Sequence, residues 1–125
     1  MGDGWMKKLA YILVALFLLA VPVMAASWVQ HSTEKTADAL IDTGKGTFHG
    51  ILVTTDGTNA VTVEIYDGLV AAGGTQLIAT WEITTSSTNR GASLSMDPPV
   101  KYDTGLFIDI TCSGTVQYMV YYEGN

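Results

Sequence analysis

The chain has 125 residues, of which twelve are acidic, six are basic and two are histidine, so its net charge at pH 7 is −6. This length suits one small domain with its own apolar core. The lone Cys112 excludes an intramolecular disulfide, so packing alone must stabilise the fold. The basic residues are scattered singly, which excludes the basic stripe that a nucleic-acid partner requires.

The first predicted element is an export segment at residues 1–25. Two lysines precede an apolar run at 9–21, and Pro22 and small residues follow. This order is typical of a bacterial secretory signal peptide, with cleavage expected after Ala25 or Ala26. An uncleaved membrane anchor is the alternative, because the apolar stretch approaches the roughly 20 residues that span a bilayer. In both cases the lysines place the rest of the chain outside the cytoplasm.

The part that follows the export segment is acidic. It carries four basic and eleven acidic residues, a net charge of −7. We expect it in the periplasm, the extracellular medium or on a virion surface, or tethered to a membrane if the segment is retained. Contact with a membrane is expected only through the N-terminal segment.

Strand patterns fill the rest of the chain. Residues 26–46 are predicted to form an N-terminal arm with a weak strand at 37–42. From residue 47 onward, apolar runs alternate with turn-forming clusters about every ten residues, without a helical period. The strand candidates are 47–55, 60–67, 76–84, 92–96, 106–111 and 115–123. This pattern predicts one all-β domain over 47–125, an antiparallel β-sandwich of about six to eight short strands, jelly-roll or immunoglobulin-like.

Alternation within the last two strands predicts a hairpin. Both strands have one apolar side, and a shift of one residue would put these sides on opposite faces of a sheet. A three-residue loop at 112–114 keeps them together, with Ile110 opposite Val116 and Gly114 in the left-handed position of a bulge.

A second hairpin is predicted between the strands at 47–55 and 60–67. An odd-length loop near residues 56–59 places Ile51 and Val53 beside Val61, with His49 at the end of the inward row. His49 and His31, which lies near the N-terminal end of the mature chain, do not suggest a metal pair.

Residues that could perform chemistry do not form a known motif. The sequence lacks a nucleophile elbow and a glycine-rich phosphate loop. The pairs Asp56 with Asn59 and Asp97 with Asp103 come nearest to a metal-ligand set, but Asp and Asn in turns usually bond their own backbone. We therefore expect no catalytic residues, no metal and no cofactor, and predict that the chain is not an enzyme.

An apolar cluster is predicted on the outward side of the last hairpin. Its register brings Phe107 opposite Met119, with Tyr121 next along the strand. Such a cluster on a solvent face implies that something covers it. Either Trp28 and the N-terminal arm, or the loop at 71–75, folds over it, or a partner protein or second copy binds there. Phe107, Met119 and Tyr121 are therefore the candidate partner contacts.

Four segments carry a resemblance to a known group of proteins. They are GILVTTDGTN at 50–59, VTVEIYD at 61–67, PPVKYDTGL at 98–106 and YMVYY at 118–122. The region that contains them resembles short β-rich proteins of tailed phages that are associated with the virion or decorate the capsid. The resemblance implies a β-sandwich at a virion surface, without catalytic residues to transfer. Because phage capsids assemble in the cytoplasm, the export segment leaves two alternatives, an exported relative or a likeness of fold alone.

The predicted function follows from these observations. We expect an exported, non-catalytic β-sandwich with a structural or adhesive role at a virion or cell surface. The alternative is a small secreted module that binds a ligand such as a carbohydrate, with Trp81 or Tyr66 stacking on a sugar. Alternation places Trp81 in the core, which favours the first interpretation.

Overall fold

A computed structural model describes residues 4–9, 11 and 28–125 of the chain. Residues 4–9 and 11 are helical. The predicted cleavage sites at Ala25 and Ala26, and most of the apolar run before them, lie outside the described residues. Within the described ranges, no helix combines the length and the apolar character needed to cross a bilayer.

Two antiparallel sheets make up the rest of the described chain. The strands are β1 (Gln30–His31), β2 (Ala39–Thr43), β3 (Gly46–Thr55), β4 (Val61–Asp67), β5 (Thr75–Gln76), β6 (Trp81–Ile83), β7 (Gly91–Tyr102), β8 (Gly105–Cys112) and β9 (Val116–Gly124). Sheet A has the order β1-β9-β3-β7, and sheet B has the order β2-β8-β4, with β5 and β6 both paired to the free side of β4. The predicted all-β architecture of two sheets is therefore confirmed.

Strand pairing is nested. If β5 and β6 count as one interrupted strand, the first strand pairs with the last, the second with the last but one, and so on inward: β1 with β9, β2 with β8, β3 with β7, and β4 with β5 and β6. This long antiparallel ribbon is rolled up, so that β9 also pairs with β3 and β8 with β4. Most consecutive strands therefore lie in opposite sheets.

One apolar core lies between the sheets. Alternate residues of each strand point inward, and burying each large one stabilises the fold by roughly 1.5–3 kcal/mol. Sheet A contributes Phe48, Ile51, Val53, Tyr118 and Val120, and sheet B contributes Val61, Val63, Ile65, Leu106 and Ile108. The arm contributes strands to both sheets through β1 and β2.

Both predicted hairpins are wrong. β8 and β9 lie in different sheets, and so do β3 and β4. Ile110 pairs with Val63, whereas Val116 pairs with Thr55. The apolar rows do share one core, but they face each other across it. Alternation shows which side of a strand is buried, and it does not distinguish a neighbour in the same sheet from one across the core.

The connection between β8 and β9 depends on Gly114 for a different reason from the predicted one. Gly114 is not among the described glycines with positive φ. Instead, a Cβ at this position would overlap the Asp56 carboxylate. That carboxylate accepts the backbone N–H groups of Thr58, Asn59 and Thr115 at 2.8, 3.1 and 3.2 Å, which ties two loops together.

The turn role predicted for Asp56 and Asn59 is confirmed. The Asn59 side chain also donates to Asp56, at 2.9 Å. Bonds from the Thr58 backbone, the Asn59 side chain and the Asn59 backbone hold the pKa of Asp56 far below its usual value. Both carboxylate oxygens are therefore occupied by N–H donors, which explains why this pair caps a turn.

Three strand predictions need correction. The candidate at 76–84 is two short strands, β5 and β6. The candidate at 92–96 is the start of the long β7, which continues through Asp97, Pro98 and Pro99, where a turn was predicted. His49 does not end the inward row, because it is the extra residue of β3 between the pairs Phe48–Tyr122 and Gly50–Tyr121 with β9, so that Phe48 takes the buried position.

Candidate functional site

The structure separates the three candidate partner contacts. Phe107 lies in β8 of sheet B, where its cross-strand partners include Tyr66. Met119 and Tyr121 lie in β9 of sheet A, where Met119 pairs with Leu52. The predicted contact of Phe107 with Met119 is therefore wrong, because the two residues lie on the outer sides of different sheets. Each outer side is a separate candidate surface.

The outer side of sheet A is an apolar face, which we call face A and define by Val29, Leu52, Met119 and Tyr121. The exposed fractions of Val29, Leu52 and Tyr121 are 52%, 39% and 38%. For large apolar side chains in one neighbourhood of a sheet, such exposure is typical of an interaction surface.

A groove of about 340 Å³ crosses face A. Its shape follows from the sequence, because Gly50 lacks a side chain and β7 contributes the small Ser93 and Ser95, while Leu52 and Tyr121 form higher walls. No Asp, Glu, Lys or Arg lines this groove in the described part of the chain. The groove therefore suits an apolar or neutral occupant.

His49 lies at one end of the groove lining. The bulge in β3 places its Nε2 atom 3.2 Å from Thr47 Oγ1 and 3.3 Å from a carboxylate oxygen of Glu123. These contacts orient the ring along the sheet at one end of the groove.

The N-terminal arm contributes Val29 to face A and borders the rest of it. Ser32 is buried, and its hydroxyl accepts the Val120 N–H at 3.0 Å, which holds β1 beside β9. The His31 ring meets the Tyr121 ring edge-on, with the centroids 6.4 Å apart. Trp28, one of the predicted covers, is 78% exposed. The other, the loop at 71–75, adjoins β4 in sheet B.

The outer side of sheet B is different, and we call it face B. One cross-strand row on it is mainly apolar and joins Leu40, Phe107 and Tyr66. The adjacent row pairs Glu64 with Asp109. The Tyr66 hydroxyl donates to Glu64 at 2.8 Å, so an aromatic ring and a carboxylate lie side by side.

The carboxylates of face B repel one another. Partial burial raises the pKa of Asp109, and the charges of Asp38 and Glu64 raise it further. Asp38 also accepts the Ile110 N–H at 2.8 Å, which holds it near Asp109. In the described ranges, none of these three acids pairs with a lysine or arginine. Face B is thus an acidic surface that lacks a compensating cation.

The described residues contain no group of three His, Cys, Asp or Glu side chains placed to hold a metal ion. Trp81 pairs with Val63 and packs against the core, as its alternation predicts. Its side chain is partly buried there.

Comparisons with protein-family models, curated proteins and solved structures found no significant match to this chain.

Sequence reasoning missed Leu52 and Val29 as part of the apolar face. For Leu52 there was a usable pattern, because it stands at an outward position between the inward-facing Ile51 and Val53. A large apolar residue at such a position is the feature that identifies face A.

Proposed function

We propose that this chain is an exported, non-catalytic β-sandwich protein with a structural or adhesive role at a virion or cell surface. Face A is the surface that binds the partner protein. The observation that carries the proposal is the pair of half-exposed side chains, Leu52 and Tyr121, that flank a groove without charged walls. Covering such surface contributes roughly 25 cal/mol per Å² of apolar area.

The strand order supports the same proposal. We infer that the domain is a jelly roll, because its strands pair in a nested ribbon that is rolled into two sheets. Jelly rolls occur in viral capsid proteins and in lectins. This support is an analogy of fold, and the function itself rests on the surface. The resemblance of residues 47–125 to virion-associated phage proteins points in the same direction, with the segment at 1–25 directing export.

Face A is favoured over face B because of the cost of desolvation. Burying Glu64 and Asp109 against an apolar partner would remove water from two carboxylates that have no cation. Face A requires no such cost, since its groove offers apolar side chains and serine hydroxyls. A protein partner without strong positive charge therefore fits face A.

Cosedimentation tests the proposal. The full-length protein is mixed with envelope fragments or virus particles from its source, and the bound fraction is measured. Leu52→Asp places a charge in the groove wall and should weaken binding by about tenfold or more. Thr62→Asp, a matched change on the outer side of sheet B, should leave binding unchanged. Equal losses in both variants, or no binding by the wild type, would contradict the proposal.

Face B supports a second candidate function, the binding of a carbohydrate. Tyr66 and Phe107 offer aromatic surface, and Glu64 beside them offers oxygen atoms that accept hydrogen bonds from sugar hydroxyls. A glycan array with the wild type tests it. Saturable binding that Tyr66→Ala abolishes and Tyr121→Ala preserves would support this function, and an array without any bound glycan would dismiss it.

A further inference from the structure

The two sheets have edges that differ in their protection. β1 has two residues, β2 is interrupted by a bulge between Leu40 and Asp42, and the outer edge of β4 is covered by two short separate strands. β7 is the exception, with twelve residues and a regular register with β3 over Gly91 to Ser95. Within the described residues, it is the one long open edge.

The outward hydrogen-bonding groups of β7 can be identified from its register. Thr55 N–H donates to the Arg90 carbonyl at 2.7 Å. Because bonded and non-bonded pairs alternate in an antiparallel ladder, Ala92 and Leu94 direct their backbone groups toward β3. Gly91, Ser93 and Ser95 therefore direct their N–H and C=O groups away from the sheet, and all three residues are exposed.

The composition of this edge does not prevent pairing. Natural edge strands are commonly protected by lysine, proline or a bulge. The segment at 91–96 contains neither charge nor proline, although the chain carries a net charge of −6. Pro98 and Pro99 end the regular part of the strand. Its inward side chains Leu94 and Met96 pack against the core but remain partly exposed, so a further strand would cover them.

We propose that β7 pairs antiparallel with β7 of a second copy of this chain, about a two-fold axis at Ser93. Three pairs of outward-directed residues then face each other, Ser93 with its counterpart and Gly91 with Ser95 in both directions, and exchange about six N–H···O bonds. On the inner side, the small Ala92 faces the larger Leu94. The segment is thus self-complementary in hydrogen bonding and in side-chain size, as a symmetric interface requires.

The axis of this pairing is perpendicular to sheet A, so the two copies of face A point in the same direction. The dimer would present two grooves side by side to one surface, which increases the avidity for a repetitive partner. The pairing itself uses the backbone of β7 and does not depend on what face A binds.

Disulfide trapping tests the register in the full-length chain, in a Cys112→Ser background. In Ser93→Cys the two cysteines face each other with Cα atoms about 5.5 Å apart, within the range for a disulfide. In the matched control Ser95→Cys they lie four residues apart along the ribbon, about 13 Å, and cannot join. On a non-reducing gel, Ser93→Cys should shift from 13.3 kDa to twice that mass, and Ser95→Cys should not.

A dimer band in both variants, or in neither, would overturn the proposal, since association through the N-terminal segment would not distinguish the two positions. Thermal unfolding of both variants verifies that they fold alike. A second measurement removes the cysteines: Ser93→Pro deletes one outward N–H and should sediment as a monomer, whereas Ser93→Ala should sediment as the wild-type dimer. If the trapping and sedimentation experiments show no dimer, the proposed role of face A is unaffected, because the Leu52→Asp comparison does not depend on β7.

Discussion

Face A and face B are the outer sides of two sheets that share one core, yet they differ in chemistry. Leu52 and Tyr121 on face A are apolar or aromatic and half-exposed, so covering them releases water from apolar surface. Glu64 and Asp109 on face B are carboxylates that repel each other. The difference shows that the alternating pattern of a strand decides which side is buried, while its outward residues decide the chemistry of the exposed surface.

The two sheets also differ in regularity. In sheet B, β4 and β8 pair without interruption over seven residue pairs. In sheet A, β3 is bulged at His49 against β9, and β7 is bulged at residues 96–99 against β3. The bulge brings Gly50 to the floor of the groove and holds His49 beside Glu123. The bulged centre of sheet A therefore coincides with a shaped surface, as is common for bulges near functional sites.

The largest effect is expected from a substitution that disrupts the shape of face A. A Cβ at Gly50 would overlap the carbonyl oxygen of Leu94, and because that atom belongs to the backbone, β7 would have to move. Gly50→Ala should lower the free energy of unfolding by about 3 kcal/mol, measured by urea denaturation. Ser95→Ala, at the cross-strand partner, should stay within about 0.5 kcal/mol of the wild type. A fully stable Gly50→Ala variant would show that the bulge can relax.

The second-largest effect is expected from removing a side-chain hydrogen bond that links the two sheets. The Tyr102 hydroxyl, in β7 of sheet A, donates to the Asp42 carboxylate, in β2 of sheet B, at 2.6 Å. The Tyr102 side chain is buried, so Tyr102→Phe should cost about 2 kcal/mol in a urea melt. Tyr122→Phe is the matched control, as its hydroxyl makes no hydrogen bond with any residue that the structure describes, and it should cost less than about 0.5 kcal/mol. Equal costs would remove the hydrogen bond as the cause.

Prediction from sequence succeeds for the inward rows of single strands and fails for contacts between strands that are distant in the chain. The inward rows of β4 and β9 were predicted, because Val61, Val63 and Ile65, or Val116 and Tyr118, alternate strictly with polar residues. The bond from Tyr102 to Asp42 joins strands sixty residues apart, and no local pattern contains it. The bulge at His49 was also missed, since it is defined by the register of β3 with β9, which the local sequence does not contain.

The candidate site was predicted in part. Met119 and Tyr121 were assigned an outward position, and the structure agrees. Phe107 was assigned to the same surface through a hairpin that does not exist, because the nested ribbon places β8 across the core from β9. Strand pairing is a non-local property. A three-residue connection can join two strands of different sheets, and it can equally join two neighbouring strands of one sheet in a hairpin.

The third effect concerns a carboxylate that stabilises sheet B. Asp67 accepts the backbone N–H groups of Asp103 and Thr104 at 2.9 and 2.8 Å. Burial alone would raise the pKa of Asp67, but these bonds and one from Gly105 outweigh it, and the net shift is downward. Its stabilisation is therefore present above the unfolded pKa of 3.8 and is lost as the pH falls through the lower folded value.

Asp67→Asn should accordingly lower the free energy of unfolding at neutral pH by about 1 kcal/mol. The variant and the wild type should converge as the pH falls below 3.8, where the unfolded carboxyl is already protonated. Urea denaturation at a series of pH values measures both. If the difference in the free energy of unfolding were the same at all pH values, the charge of Asp67 would not be the source of the stabilisation.

The smallest effect has the opposite sign and tests the repulsion on face B. Burial and the charges of Asp38 and Glu64 raise the pKa of Asp109, so its ionised form destabilises the fold. The wild type should therefore gain stability as the pH falls from neutral through the raised folded pKa toward 3.8. Asp109→Asn should be about 0.5 kcal/mol more stable than the wild type at pH 7, since like charges directly opposite in a sheet cost roughly this much, and should lack that gain. If the variant were less stable at pH 7, the contacts of Asp109 would outweigh the repulsion, and the acids of face B would not be a source of instability.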